Sequence, residues 1–389
     1  MNKYLERAIE LKPNTIKDRR HIHENPECGM HLPNTKEYVI GRLKEMNLEP
    51  KIVGDSGIVV LIEGKKPGKT VLLRCDMDAL PMEEINELPF KSKIKAAHTC
   101  GHDIHTATMI TVAQILSENI DDLEGNVKIV FQPGEEAGEG ARMLIEEGVL
   151  ENPKVDLAIA MHVFTTHESG TIAYAIGGAT SSVNAFEIKI KGQGCHGSMP
   201  EKGIDPINTG MYIYQALQSL IPRSISATER AVLTIGQFIS GDAPNILPEE
   251  AIMTGSLRTY NPDVCDTVLA KIKQILKGAE AMFGATVSYR EFFTPFPCSY
   301  NDPTETRKLV KYMEDIEGLN LVETQGMSGS EDFGFITQLV PSVYLELGAK
   351  VDGNDYVNHS PNVLFNEDCI PYGVAAFVNC AVKWLKDNK

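Results

Sequence analysis

The sequence predicts an α/β protein: a doubly wound, mostly parallel sheet interrupted by an inserted ferredoxin-like β-α-β-β-α-β unit. Three observations carry this expectation. Short apolar runs alternate with amphipathic stretches, the pattern of strands buried on both faces between helices. The pattern changes between about residues 184 and 291 and then resumes. The length, 389 residues, exceeds what one ordinary core organises. The expected domains are therefore 1–183 with 292–389, and the insert 184–291.

Taken in order, residues 3–24 read as a helix with apolar Leu5, Ala8, Ile9, Ile16 and Ile22 among charges. His21 and His23 lie near its end and are read as structural or rim groups, since two residues apart on a helix they face different ways. A second helix is expected over 35–48, with Thr35 as its N-cap. Strands follow at 57–62 and 70–75, the latter running into Asp76-Met77-Asp78. Asp76 reads equally as a turn residue or a functional carboxylate, whereas Asp78 reads as an orienter of a metal-bound imidazole.

Next comes the densest stretch, His98-Thr99-Cys100-Gly101-His102-Asp103-Ile104-His105, with three of the ten histidines and one of the eight cysteines. A thiolate and an imidazole two positions apart suit Zn²⁺ or a similar ion. Gly101 lets the backbone bend between them, and Asp103 and His105 are expected behind the ligands. A helix is expected from Thr106 to Leu116, and a strand over Val127–Phe131 runs into Gln132-Pro133-Gly134-Glu135-Glu136. Adjacent carboxylates there can divide metal binding from proton transfer. They also fit a helix N-terminus, and the nearby Cys/His stretch favours function. A helix over 140–147 and a strand over 157–161 follow, the strand delivering His162 at its carboxyl end, where α/β sheets gather ligands.

The insert reads as strand 185–191, helix 205–221, strands 231–239 and 250–259, helix 262–282 and strand 285–291. It carries Cys195-His196-Gly197-Ser198, Asn245 in a Pro-flanked loop, and Arg258 at a strand end, each of which singly reads as a loop or surface residue. A helix over 303–317, the loop Gly329-Ser330-Glu331-Asp332-Phe333, a strand over 342–348, the loop Asn358-His359-Ser360-Pro361 and a C-terminal helix over 366–386 complete the chain.

A net charge of −16 argues against nucleic-acid and anionic-membrane partners. No apolar run of membrane-spanning length appears, and the eight dispersed cysteines read as reduced thiols, so a cytoplasmic protein is expected.

In Arg74-Cys75-Asp76-Met77-Asp78-Ala79-Leu80-Pro81, the Cys/His stretch, Gln132–Glu136, Met161-His162-Val163, Gly329–Phe333 and Asn358–Pro361, the chain resembles the metal-dependent aminoacylase/carboxypeptidase family. The likeness is to its N-acyl-amino-acid amidohydrolase branch, which includes hippurate hydrolases, N-acetyl-diaminopimelate deacetylases and auxin-conjugate hydrolases. The resemblance implies two divalent ions per subunit (Zn, Mn, Co or Ni) held by Cys100, His102, Glu136, His162 and His359, with the Cys100 thiolate bridging. It pairs His102 with His162 and Glu136 with His359. It makes Glu135 the general base, places Asp78 and Asp103 behind the ligands, and gives Asn245, Arg258 and Gly329 to the substrate. It also implies that 1–183 with 292–389 is a metal-binding catalytic domain, that 184–291 is a lid or dimerisation domain, and that in a homodimer His196 reaches across to the reacting centre of a small-molecule substrate. The expected reaction is hydrolysis of N-acyl amino acids to a carboxylate and a free amino acid. The alternative is a dipeptidase or carboxypeptidase using the same site. A binding-only descendant would lack a base or a ligand, and none is missing.

Overall fold

A computed structural model describes residues 2–389, which form two compact units. One runs as far as Ala179 and takes in Tyr300–Gly326 and Glu331–Lys389; the other is Thr180–Ser299 with Met327–Ser330.

The first unit is built on an eight-stranded sheet. Its elements include α1 (Lys3–Glu24), α2 (Pro33–Glu45), β1 (Lys51–Val53), β2 (Gly57–Glu63), β3 (Lys66–Asp76), α3 (His102–Glu118), β4 (Glu124–Gln132), α4 (Gly140–Glu146), β5 (Leu157–Phe164) and β6 (Thr171–Ala175). The sheet order is β1-β2-β4-β3-β5, then strand Ser342–Gly348, then β6, then strand Asn320–Thr324. The central strands β4, β3, β5 and Ser342–Gly348 are mutually parallel. β3 is continuously buried from Thr70 to Asp76 because both its faces are covered. Val71 and Leu73 join one apolar cluster with α1, α3 and the C-terminal helix Ile370–Asp387, while Leu72 joins another with Leu144 of α4. These two covered faces make the sheet doubly wound.

Several boundaries differ from the sequence expectation, each for a local reason. α2 starts at Pro33, not after Thr35, because the Glu27 carboxylate caps it by accepting from the Asn34 and Thr35 amides. α3 starts at His102 rather than Thr106, so His102, Asp103 and His105 all lie on its first turn. β5 continues to Phe164, with His162 inside it, because Ser342–Gly348 pairs with it through Gly348↔Phe164. β6 and Asn320–Thr324 are short, and their pattern is too brief to read from sequence.

The second unit has the order strand Asn184–Lys191, helix Pro206–Ser224, strands Ala231–Ser240 and Glu250–Thr259, helix Pro262–Phe283, strand Thr286–Glu291. All its ladders are antiparallel, and Asn184–Lys191 lies centrally between Glu250–Thr259 and Thr286–Glu291. This is the ferredoxin-like topology. Alternate residues Phe186, Ile188 and Ile190 are fully buried in its core with Ile213 and Leu217 of one helix and Val268 and Ile272 of the other. Asp205 and Asn261 cap the two helices, each followed by Pro at the first helical position. Among the described residues no helix is long and apolar enough to cross a membrane.

Gly101 is the residue on which the start of α3 turns. Its φ is +90°, and a Cβ there would meet Val163 Cγ2 at 2.3 Å. Gly101→Ala is expected to cost about 2–4 kcal/mol from left-handed strain plus overpacking, read as a lower denaturation midpoint of the metal-free protein.

Candidate metal centre and active site

The carboxyl ends of β3, β4 and β5 converge on the first turn of α3. Cys100 Sγ lies 3.3 Å from His162 Nε2 and 3.1 Å from His359 Nε2. His359 Nε2 is 3.3 Å from Glu136 Oε1, which is 3.9 Å from His102 Nε2. The donor atoms form two sets that share the thiol: Cys100, His102 and His162, and Cys100, Glu136 and His359. Donors about 2.0–2.3 Å from an ion at tetrahedral angles stand roughly 3.3–3.8 Å apart, close to the 3.1–3.9 Å found here. Both ring nitrogens of His102 and Oε1 of Glu136 are buried without a hydrogen-bond partner. Orphaned donors of this kind, beside a thiol and several carboxylates, fit two divalent cations.

The surrounding groups fix this geometry. Asp78 accepts the backbone N–H of Glu135 at 3.0 Å and of Glu136 at 3.2 Å, one on each oxygen, and its Oδ1 is 3.7 Å from His102 Nδ1. One carboxylate therefore locates both glutamates and faces the His102 imidazole. Asp76 is fully engaged and not a simple turn residue. It accepts from His105 Nδ1 at 2.5 Å and from Arg74 Nη1 at 2.7 Å. His105 Nε2 in turn accepts the Val163 amide at 2.8 Å, which ties α3 to β5. His359 has φ +69°, a conformation rare outside glycine. It is held there by its amide bond to Thr99 O at 2.9 Å and by the Asn358 side chain on Val163 O at 2.9 Å.

Asp103 departs from its expected place behind the ligands. One position past His102 on a helix turns its carboxylate about 100° away, where Oδ2 accepts from Arg19 Nε and His23 Nδ1, both at 2.8 Å. Its work is to anchor α1 to α3. His23, bonded also to Glu84, is likewise an internal strut rather than a rim group.

Sequence reasoning assigned no role to Arg74, Gln132, Glu331 and Asp332. Arg74 is 1% exposed, and it bonds Gln132, Asp76, Glu331 and Asp332. The available signal was an arginine inside an otherwise apolar strand, since an interior cation requires acidic partners. Glu331 and Asp332 stand close to Glu135, all three having carboxylate oxygens within 4.8 Å of one another.

The electrostatics follow from burial. Burial, then the charges of Glu331 and Asp332, hold Glu135 well above the usual carboxylate range. Burial would also raise Glu136, but the nearby His359 ring and the charge of His102 reverse this and hold it low. Burial pushes the Cys100 thiol up to about 12.

The second unit holds the remaining expected residues in two pairs. His196 sits in a short ladder opposite Ile246, and the Gly197 amide donates to Asn245 O at 2.9 Å. Both His196 and Asn245 are exposed, and Ser198 Oγ is 2.8 Å from His196 Nδ1. Arg258 Nη1 donates to Ser181 Oγ at 3.3 Å, and the Ser181 amide donates to Gly329 O at 2.8 Å.

Two predictions follow from these shifts. Thiolate ligation requires loss of the Cys100 proton. Titration calorimetry in buffers of different ionisation enthalpy should find proton release on metal loading, with affinity falling as pH falls. For His23, burial lowers the pKa, but the bonds to Asp103 and Glu84 outweigh it and raise the group from 6.5 to about 9. A raised folded-state pKa stabilises fully below pH 6.5 and is lost as pH rises through 9. His23→Gln should therefore be less stable by up to about 3 kcal/mol at pH 6, and the gap should close by pH 10 in denaturant titrations.

Residues 72–383 match the model of Peptidase family M20/M25/M40. Thermostable carboxypeptidase 2 of Saccharolobus solfataricus is 35% identical over 96% of both chains. N-acetylcysteine deacetylase of Bacillus subtilis is 32% identical over 96% of this chain and 97% of its own. The crystal structure of the Bacillus subtilis YXEP protein, described as a dinuclear metal binding peptidase from the M20 family, is 30% identical with a TM-score of 0.82. It covers 97% of this chain and 99% of that one.

Proposed function

The chain belongs to Peptidase family M20/M25/M40 and is a metal-dependent hydrolase of amide bonds, and from that premise we propose that it cleaves N-acyl amino acids to a carboxylate and a free amino acid. The observation that carries the site is the shared position of Cys100 between two three-donor sets. In this reading Cys100, His102 and His162 hold one divalent ion, and Cys100, Glu136 and His359 the other. Bound there, the ions would acidify water and polarise the scissile carbonyl.

The chain's own residues do the rest. Glu135 is next to a metal ligand, buried, and short of positive partners, so its carboxylate binds a proton strongly. It takes the proton of the attacking water and returns it to the leaving nitrogen, which departs as a neutral amine. Asp78 holds Glu135 and Glu136 by their backbones, so base and ligand keep a fixed offset. We assign Arg258, with Asn245 and Gly329, to the substrate carboxylate, because a guanidinium fork meets a carboxylate through two parallel bonds. His196 is assigned to the developing oxyanion of a bound substrate, supplied across a homodimer. The free thiols of Cys28, Cys75, Cys195, Cys265, Cys369 and Cys380 support a reducing, cytoplasmic setting.

The carboxypeptidase relative keeps a second reading in play: short peptides with a free C-terminal carboxylate present the same amide and anion. A panel of N-acetyl, N-benzoyl and dipeptide substrates, run on metal-loaded protein, separates the two. We expect activity concentrated on the acylated amino acids, with Glu135→Gln binding metal yet losing at least about 100-fold in kcat. Preference for dipeptides would move the protein to the peptidase side, and a fully active Glu135→Gln would refute the base assignment.

A further inference from the structure

Arg74 is a permanent cation bonded to the two carboxyl groups that stand beside the proposed base. An arginine paired with Glu135 would hold its carboxylate in a salt bridge and away from water. The structure shows why this pairing does not form. A guanidinium has five N–H bonds, and here each has another acceptor. Nε donates to Gln132 Oε1 at 3.0 Å. Nη1 donates to Asp76 Oδ2 at 2.7 Å and Glu331 Oε2 at 3.4 Å. Nη2 donates to Glu331 Oε1 and Asp332 Oδ1, both at 2.9 Å.

The acceptors are themselves pinned. Glu331 Oε1 also accepts the Phe333 amide at 3.0 Å. Asp332 accepts Gln132 Nε2 on both oxygens, at 2.7 and 2.8 Å, and the Ala141 amide at 2.9 Å. Glu331 and Asp332 nevertheless stand within 4.8 Å of a Glu135 oxygen, in the same buried pocket as the guanidinium. Two carboxyl groups fixed on the guanidinium thus crowd the base, and their charge disfavours its own.

We infer that Glu331, with Asp332, is a positioning residue that saturates Arg74 and so keeps Glu135 unpaired and turned to the metal centre. This deepens the proposed function and rests on Glu135 being the base. Ion-pair strength is not its purpose; the cluster denies the guanidinium to a competitor. Removing the charge of Glu331 should release guanidinium N–H bonds, and Glu135, whose carboxylate stands within 4.8 Å of both of these acceptors, is placed to receive them.

The test is steady-state kinetics of metal-loaded Glu331→Gln, Glu331→Asp and Glu135→Gln, with metal content and thermal midpoint measured on each. Glu331→Gln is expected to lose at least about 10-fold in kcat, within the range a general base supplies, with KM and two bound metals unchanged. Glu331→Asp, which keeps the charge, should recover most of that loss. Full kcat in Glu331→Gln with both metals bound would overturn the inference. So would a loss accounted for entirely by missing metal in folded protein. Should Glu331→Gln not fold, Asp332→Asn frees an N–H of the same guanidinium and is read by the same split between kcat and KM. If Glu135→Gln alone stays active, the base assignment falls and the inference with it; if it is dead while Glu331→Gln is intact, only the inference falls.

Discussion

The Arg74 guanidinium is the constraint around which the catalytic unit closes. A fully buried cation must be matched by anions with good geometry, because the cost of leaving it unpaired is several kcal/mol. Its partners come from the end of its own strand, from β4, and from a loop more than 250 residues later in the chain. Placing Arg74 therefore fixes Asp76, then His105 through Asp76, and then β5 through the Val163 amide. The same pivot fixes Glu331 and Asp332, and Asp332 reaches the start of α4 through the Ala141 amide. Few single groups in the unit touch so many elements.

Around that pivot the protein gathers more negative charge than its own cations balance. Asp76, Asp78, Glu135, Glu136, Glu331 and Asp332 crowd the carboxyl ends of the central strands beside a single guanidinium. A site of this kind is costly until divalent ions supply the missing charge. Fold and metal are coupled for that reason. The strand ends set where the donors stand, and the ions relieve the repulsion that the strand ends create.

Much of this was legible in the sequence. The Cys/His stretch, the Glu pair after β4 and the histidine near the end of β5 all sit where a doubly wound sheet presents ligands, and the structure brings Cys100, His102, Glu136, His162 and His359 together. Asp78 was legible too, as a carboxylate facing a ligand imidazole. Asp103 was not, because its direction depends on where α3 begins, and that depends on the left-handed Gly101. The Arg74 cluster was visible only as separate pieces. Periodicity reports which face a residue takes within one element and says nothing of which distant carboxylate meets a given guanidinium. The pairs that set the base's surroundings lie 257 and 258 positions apart.

That separation has a consequence for how the molecule is made. Synthesis runs from the N-terminus, at about 5–20 residues per second, so Arg74 waits roughly 13–50 s for Glu331 to be added. Throughout that interval the central strand carries a charge that its finished surroundings alone can bury. The sheet cannot close around β3 in its final form while the whole second unit is still being polymerised. His359 arrives later still, so ions meeting the nascent chain encounter only part of their coordination set. Assembly of the donor set is thereby deferred until His359 exists, and a product cut before Glu331 has neither partners for the buried guanidinium nor the full donor set.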